Sequence, residues 1–84
     1  MMNKQPYYHA VDIEPTDVAV PRIRKAILSL VPKAQQDSIE IFRDSQILFT
    51  AYSDRSAEAR RRIERLGIVV NAADAEPGDP ADLC

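Results

Sequence analysis

The chain is poor in the residues from which small catalytic, metal and disulfide-bonded sites are built. Its 84 residues include one cysteine, one histidine, two glycines and no tryptophan. A single cysteine cannot form an internal disulfide, and a structural zinc site needs about four ligands. No apolar run approaches the roughly 18 residues of a membrane-spanning helix. These absences predict a small cytoplasmic globular protein with no cofactor, no metal and no membrane partner.

The few chemically reactive residues stand in unsuitable places for catalysis. Nucleophilic catalysis needs a base beside the nucleophile, and the lone histidine, His9, lies in an alternating apolar stretch that favours packing. Cys84 ends a polar tail, where a tuned thiol pKa is not expected. The acids between Asp12 and Asp17 follow a predicted strand, where carboxylates commonly occur. We therefore predict that the protein is not an enzyme.

Charge is distributed unevenly along the chain. The net charge is −2, but residues 1–72 carry more bases than acids, whereas residues 73–84 carry four acids and no base. Segment 73–84 also contains two prolines and a glycine and offers little to bury. Such a composition is typical of disorder. The sequence thus predicts one domain over residues 1–72 and an acidic, flexible C-terminal tail over residues 73–84.

A hairpin that leads into a helix dominates the middle of the chain. Segments 38–43 and 46–52 are rich in β-branched and aromatic residues, which favour strands. Residues 53–56 then offer N-cap oxygens, and an apolar stripe runs along the helix that follows as far as Leu66. Gly67 stands where a left-handed residue is expected to end that helix.

The flanking segments complete a six-element pattern. Residues 7–13 alternate as a strand does, and Pro21 to Pro32 enclose an amphipathic helix. Residues 33–37 form a polar link, and residues 68–70 read as a short last strand ending at Asn71. The order β-α-β-β-α-β predicts an α+β fold of the ferredoxin-like type. We expect a four-stranded antiparallel sheet in the order 4-1-3-2 with both helices on one face.

Such a sheet leaves its second face open unless something covers it. Phe42 is predicted to point outward. The sequence does not decide between Phe49 and Tyr52, since either parity is possible for the third strand. The second helix adds a run of arginines, which is either a solvated helix face or a patch for an acidic partner. The candidate partner-binding residues are Phe42, Phe49, Tyr52, Arg60, Arg61, Arg62 and Arg65.

Residues 45–52, followed by a helix bearing Ala and Arg, resemble the third-strand motif of the RNA-recognition motif family. That family stacks bases on aromatic residues of its central strands, so the resemblance implies single-stranded RNA or DNA binding. The chain departs from the motif at three positions: Ser45 replaces a basic residue, Gln46 a glycine and Ile47 a stacking aromatic. We interpret the resemblance as a shared topology.

Two hypotheses about function follow. The first is a small protein-binding module that inhibits or regulates a larger partner, including one of phage or mobile-element origin, or that forms homodimers. The second is a nucleic-acid-binding module that uses Phe49 or Tyr52 for stacking, with arginines at the rim. An acidic pI of about 5.3 disfavours the second.

Overall fold

The computed structural model describes residues 5–79 of the chain. It contains four strands, two α-helices and one 3₁₀ helix. In chain order these are β1 (Tyr7–Ile13), α1 (Val20–Leu28), the 3₁₀ helix (Lys33–Ser38), β2 (Glu40–Phe42), β3 (Gln46–Ala51), α2 (Ser56–Glu64) and β4 (Val70–Pro77).

The strands form one antiparallel sheet with the order β2-β3-β1-β4. Read from the β4 edge, this order runs 4-1-3-2. β1 and β3 are the central strands, paired from Tyr7 opposite Ala51 to Asp12 opposite Gln46. Outward-facing and inward-facing side chains alternate along each strand. The register therefore determines which residues share a face.

One face of the sheet packs against both helices. The core contains Val11 and Ile13 of β1 together with Ile47, Phe49 and Ala51 of β3, each at most 3% exposed. The helices contribute their apolar stripes, as predicted. The buried helix residues are Ile23 and Ile27 of α1 and Ala59 and Ile63 of α2.

The helix ends follow local backbone chemistry. Pro21 occupies the first turn of α1, where its missing N–H costs nothing. Ahead of α2, the Asp54 carboxylate accepts hydrogen bonds from the backbone N–H (2.9 Å) and the hydroxyl (2.6 Å) of Ser56. These bonds lower the pKa of Asp54. Gly67 adopts a φ of +86°, which confirms the predicted left-handed residue after this helix.

The structure corrects the predicted bounds of two strands. β2 is only three residues long, because the predicted polar link and the start of that strand form the 3₁₀ helix. The last strand begins at Val70 rather than Ile68 and continues to Pro77. Val69 instead belongs to the connection, where its carbonyl accepts a hydrogen bond from the Glu14 N–H (2.9 Å).

β4 takes in residues 73–77, the first part of the segment that composition assigns to the acidic tail. Ala73 and Ala75 face the core opposite Val11 and His9, while Asp74 faces away. Pairing with β1 thus gives a strand to a sequence of low β-propensity. Acids and a terminal proline are common on exposed edge strands, since they discourage further pairing. Residues 80–84 of the predicted tail, with Cys84, lie outside the described residues.

Candidate functional site

The sheet face turned away from the helices is the candidate site, and we call it the open sheet face. Its side chains come from alternate positions of all four strands. Three rows cross the sheet, as the strand register shows. They are Thr50–Tyr8–Glu76, Glu40–Leu48–Ala10–Asp74 and Phe42–Gln46–Asp12–Ala72.

Apolar groups occupy the middle of this face. Leu48 and Ala10 sit opposite one another on the two central strands and are partly exposed. Tyr8 is 42% exposed in the next row and Phe42 is 45% exposed at the far end. A shallow depression lined in part by Tyr8, Ala10 and Leu48 marks the centre. Exposed apolar groups gathered on one face commonly mark an interaction site.

Carboxylates surround the apolar centre. Glu40 lies at the β2 edge, Asp74 and Glu76 at the β4 edge, and Asp12 in the end row, and all four are exposed. The three rows contain no lysine or arginine. The open sheet face is therefore uniformly acidic around an apolar strip, which repels a phosphate backbone and attracts a cationic partner.

The structure shows which alternate residues of β3 point toward the helices, a question that the sequence leaves open. Phe49 points into the core, with 3% exposure, so it is not available to a partner. Its ring instead stacks on the His9 ring, with centroids 4.3 Å apart. Tyr52 directly follows β3 and is partly exposed. Of the three predicted aromatic contacts, Phe42 lies on the open sheet face, and Tyr52, just beyond the end of β3, continues the alternation of the outward residues Leu48 and Thr50.

The arginines of α2 lie on the helix side of the molecule and do not join the aromatic residues. Arg61 and Arg62 both bond to the Glu58 carboxylate, which lowers the pKa of Glu58. Arg60 pairs with Glu64 at 3.4 Å and also donates to the Val70 carbonyl.

Arg62 also connects α2 to the α1 side of the helix pair through hydrogen bonds. Its guanidinium donates to the Ala26 carbonyl (3.4 Å) and to the Ser29 hydroxyl, both on the α1 side of the helix pair. Arg65 is exposed, and the described contacts give it no ion-pair partner. Three of the four predicted arginines are therefore engaged within the fold, and one faces solvent.

Both ring nitrogens of His9 also form hydrogen bonds within the fold. Its Nε2 accepts a hydrogen bond from the Arg55 backbone N–H (2.8 Å), so the proton of the neutral ring sits on Nδ1 and is donated to the Tyr7 carbonyl (2.9 Å). Burial lowers the pKa of His9 below its usual value. A ring with both nitrogens bonded to backbone is poorly placed to exchange protons with a substrate.

Residues 5–79 contain neither a metal-binding cluster nor a membrane-spanning helix. No group of three or more His, Cys, Asp or Glu side chains in that range is arranged to hold a metal ion. No helix there is both long and apolar enough to span a membrane.

The acids of β4 are the residues of the candidate site that the sequence does not predict, because the composition of their segment predicts a tail. The alternation of alanine with acid at Ala73, Asp74, Ala75 and Glu76 is the signal that could have found them. A period of two places small residues toward the core and carboxylates outward. Composition does not show that pattern, because it counts residues without regard to their order.

Comparisons with known proteins give no match, so the site is interpreted from its geometry alone. No protein-family model, curated protein or solved structure matches the chain.

Proposed function

We propose that this protein is a non-enzymatic protein-interaction module with a ferredoxin-like arrangement of strands, and that its open sheet face is the binding surface. One observation carries the proposal: Tyr8 and Phe42, which are 42% and 45% exposed, lie on the sheet face opposite the one that holds the helix-packed core. Aromatic residues are enriched at protein interfaces because they bury a large area with few rotatable bonds.

The proposed mode of action is steric. A domain of this size covers a surface of standard interface dimensions, about 800 Å² per partner. By occupying such a surface on a larger protein it inhibits or regulates that protein without chemistry of its own. A single cysteine supports action in a reducing compartment such as the cytoplasm.

A selection from random peptides tests the proposal, because it does not require the natural partner to be identified. The full chain is immobilised and panned against a displayed library of random peptides, and enriched peptides are synthesised and measured for binding. The test variant combines Tyr8→Ser with Phe42→Ser. The control is Val20→Ser, because Val20 is an exposed large apolar residue at the start of α1 and not on the sheet.

The expected result is a set of peptides that bind the wild type and the valine control equally and bind the Tyr8/Phe42 variant at least about tenfold more weakly. Circular dichroism confirms that all three proteins are folded. Peptides that bind the Tyr8/Phe42 variant as well as the wild type contradict the proposal, since their binding surface then lies elsewhere.

A further inference from the structure

The arrangement of charge on the open sheet face indicates what kind of partner it accepts. The row Glu40–Leu48–Ala10–Asp74 has a carboxylate at each edge of the sheet and apolar side chains on the two central strands. Glu76 extends the acidic border along β4, and Tyr8 extends the apolar strip along β1. The result is an apolar strip with an acidic border on both sides.

The dimensions of that strip suit a helix. Strands β2 and β4 are separated by three strand spacings, or about 14 Å. An α-helix with its side chains is about 10–12 Å across. A helix laid along the two central strands thus covers Leu48 and Ala10, and long cationic side chains on its flanks reach Glu40 on one side and Asp74 on the other.

We propose that the open sheet face binds a cationic amphipathic helix of a partner protein, with the apolar face of that helix on Tyr8, Ala10 and Leu48 and its lysine or arginine flanks on the acidic border. This inference rests on the proposed function and adds the chemistry of the partner. Charge complementarity is its basis: four carboxylates without a base favour a basic partner over an acidic one. Peptide helices that dock through an apolar stripe are a common recognition mode.

Designed peptides test this inference directly. The probe is a fluorescent peptide of leucine and lysine, about five helical turns long, with leucines at helical spacing. A neutral twin has glutamine in place of lysine, an acidic twin has glutamate, and a scrambled twin keeps the composition without the spacing. Fluorescence anisotropy with the full chain is measured at low and high salt.

Charge-reversal variants locate the contact. The test variant combines Glu40→Lys with Asp74→Lys. The matched control combines Asp17→Lys with Asp37→Lys, which makes the same change in net charge at exposed acids away from the open sheet face. The cationic peptide is expected to lose about tenfold in affinity for the test variant and less than about threefold for the control. High salt should weaken its binding to the wild type.

Other outcomes overturn the inference in distinguishable ways. Equal binding of the neutral twin removes the role of charge, whereas the proposed function stands if the library peptides still depend on Tyr8 and Phe42. Equal binding of the scrambled twin shows charge attraction without helix docking. Absence of binding by the cationic peptide also overturns the inference, as does a dimer in sedimentation that the Glu40/Asp74 variant loses, since a second copy then occupies the face.

Discussion

The ring of His9 lies nearly parallel to the ring of Phe49, with centroids 4.3 Å apart and planes inclined by 10°. The two residues are direct neighbours across β1 and β3. This stack places the chain's one histidine and one of its two phenylalanines in the core. It thereby removes from the surface both a candidate base and a candidate stacking residue.

The first prediction concerns pH and His9. Its pKa is lowered in the folded protein, so the unfolded chain binds the proton more readily. The contribution of His9 to stability is therefore complete above about pH 6.5 and falls as the pH drops from there through the lower folded value. The urea midpoint at about pH 5.5 is expected to lie below that at about pH 7.5.

Proton NMR provides the control for this prediction. The chain has one histidine, so its ring resonance is unambiguous, and it should titrate below pH 6.5 in the folded protein. A midpoint above that value, or a urea midpoint that rises on acidification, contradicts the assigned role of His9.

The second prediction separates the two faces of β3. Ile47 is fully buried and Leu48, the next residue, is partly exposed on the open sheet face. Ile47→Ala should cost about 2–5 kcal/mol of unfolding free energy, because it leaves a cavity in the core. Leu48→Ala should cost less than about 1.5 kcal/mol. Urea denaturation measures both values, and a larger loss for Leu48→Ala would show that the assigned register is wrong.

The third prediction concerns the turn after α2. Gly67 has a φ of +86°, and a Cβ added there meets no atom within 4 Å. Replacement by alanine therefore adds backbone strain without a clash, at a cost of about 1–2 kcal/mol. Gly67→Asn should cost less, since asparagine tolerates the left-handed region. Thermal unfolding compares the two variants, and equal stability of Gly67→Ala and the wild type is the contrary result.

The fourth prediction concerns nucleic acid. Phe49 is buried, and the open sheet face carries four carboxylates, so this face should not bind single-stranded RNA. The anisotropy of a labelled mixed-sequence RNA is expected to stay unchanged on adding the full chain at low salt. Salt-sensitive binding that is lost in a Tyr8→Ser, Phe42→Ser variant would instead support the nucleic-acid hypothesis.

The elements with strong periodicity are the ones that the sequence predicts well. β1 has its predicted bounds, and the stripe containing Ile23 and Ile27 is buried as expected. A helix stripe or a strand alternation reports burial directly, because the buried residues repeat with the period of the backbone. The left-handed Gly67 follows equally directly from local chemistry.

The remaining features depend on contacts that are distant in sequence. β4 pairs with β1 through residues of low β-propensity, with Ala73 opposite Val11 and Ala75 opposite His9, so the alternation of alanine and acid is the one local sign of this strand. The parity of β3 is set by its register with β1, so Phe49 could be assigned to the core only from the paired sheet. The acidic border of the candidate site depends on the pairing of β4 with β1 and on the register of β3 with β1.

Amide chemical-shift mapping shows directly whether a peptide binds on the open sheet face. The ¹⁵N-labelled chain is titrated with a peptide enriched in the library selection, and perturbed amides are placed on the structure. Shifts are expected to concentrate around Tyr8, Ala10, Leu48 and Asp74, with α2 unaffected at Arg61. Shifts concentrated on α2, with the open sheet face unchanged, would contradict the claim that this face is the binding surface.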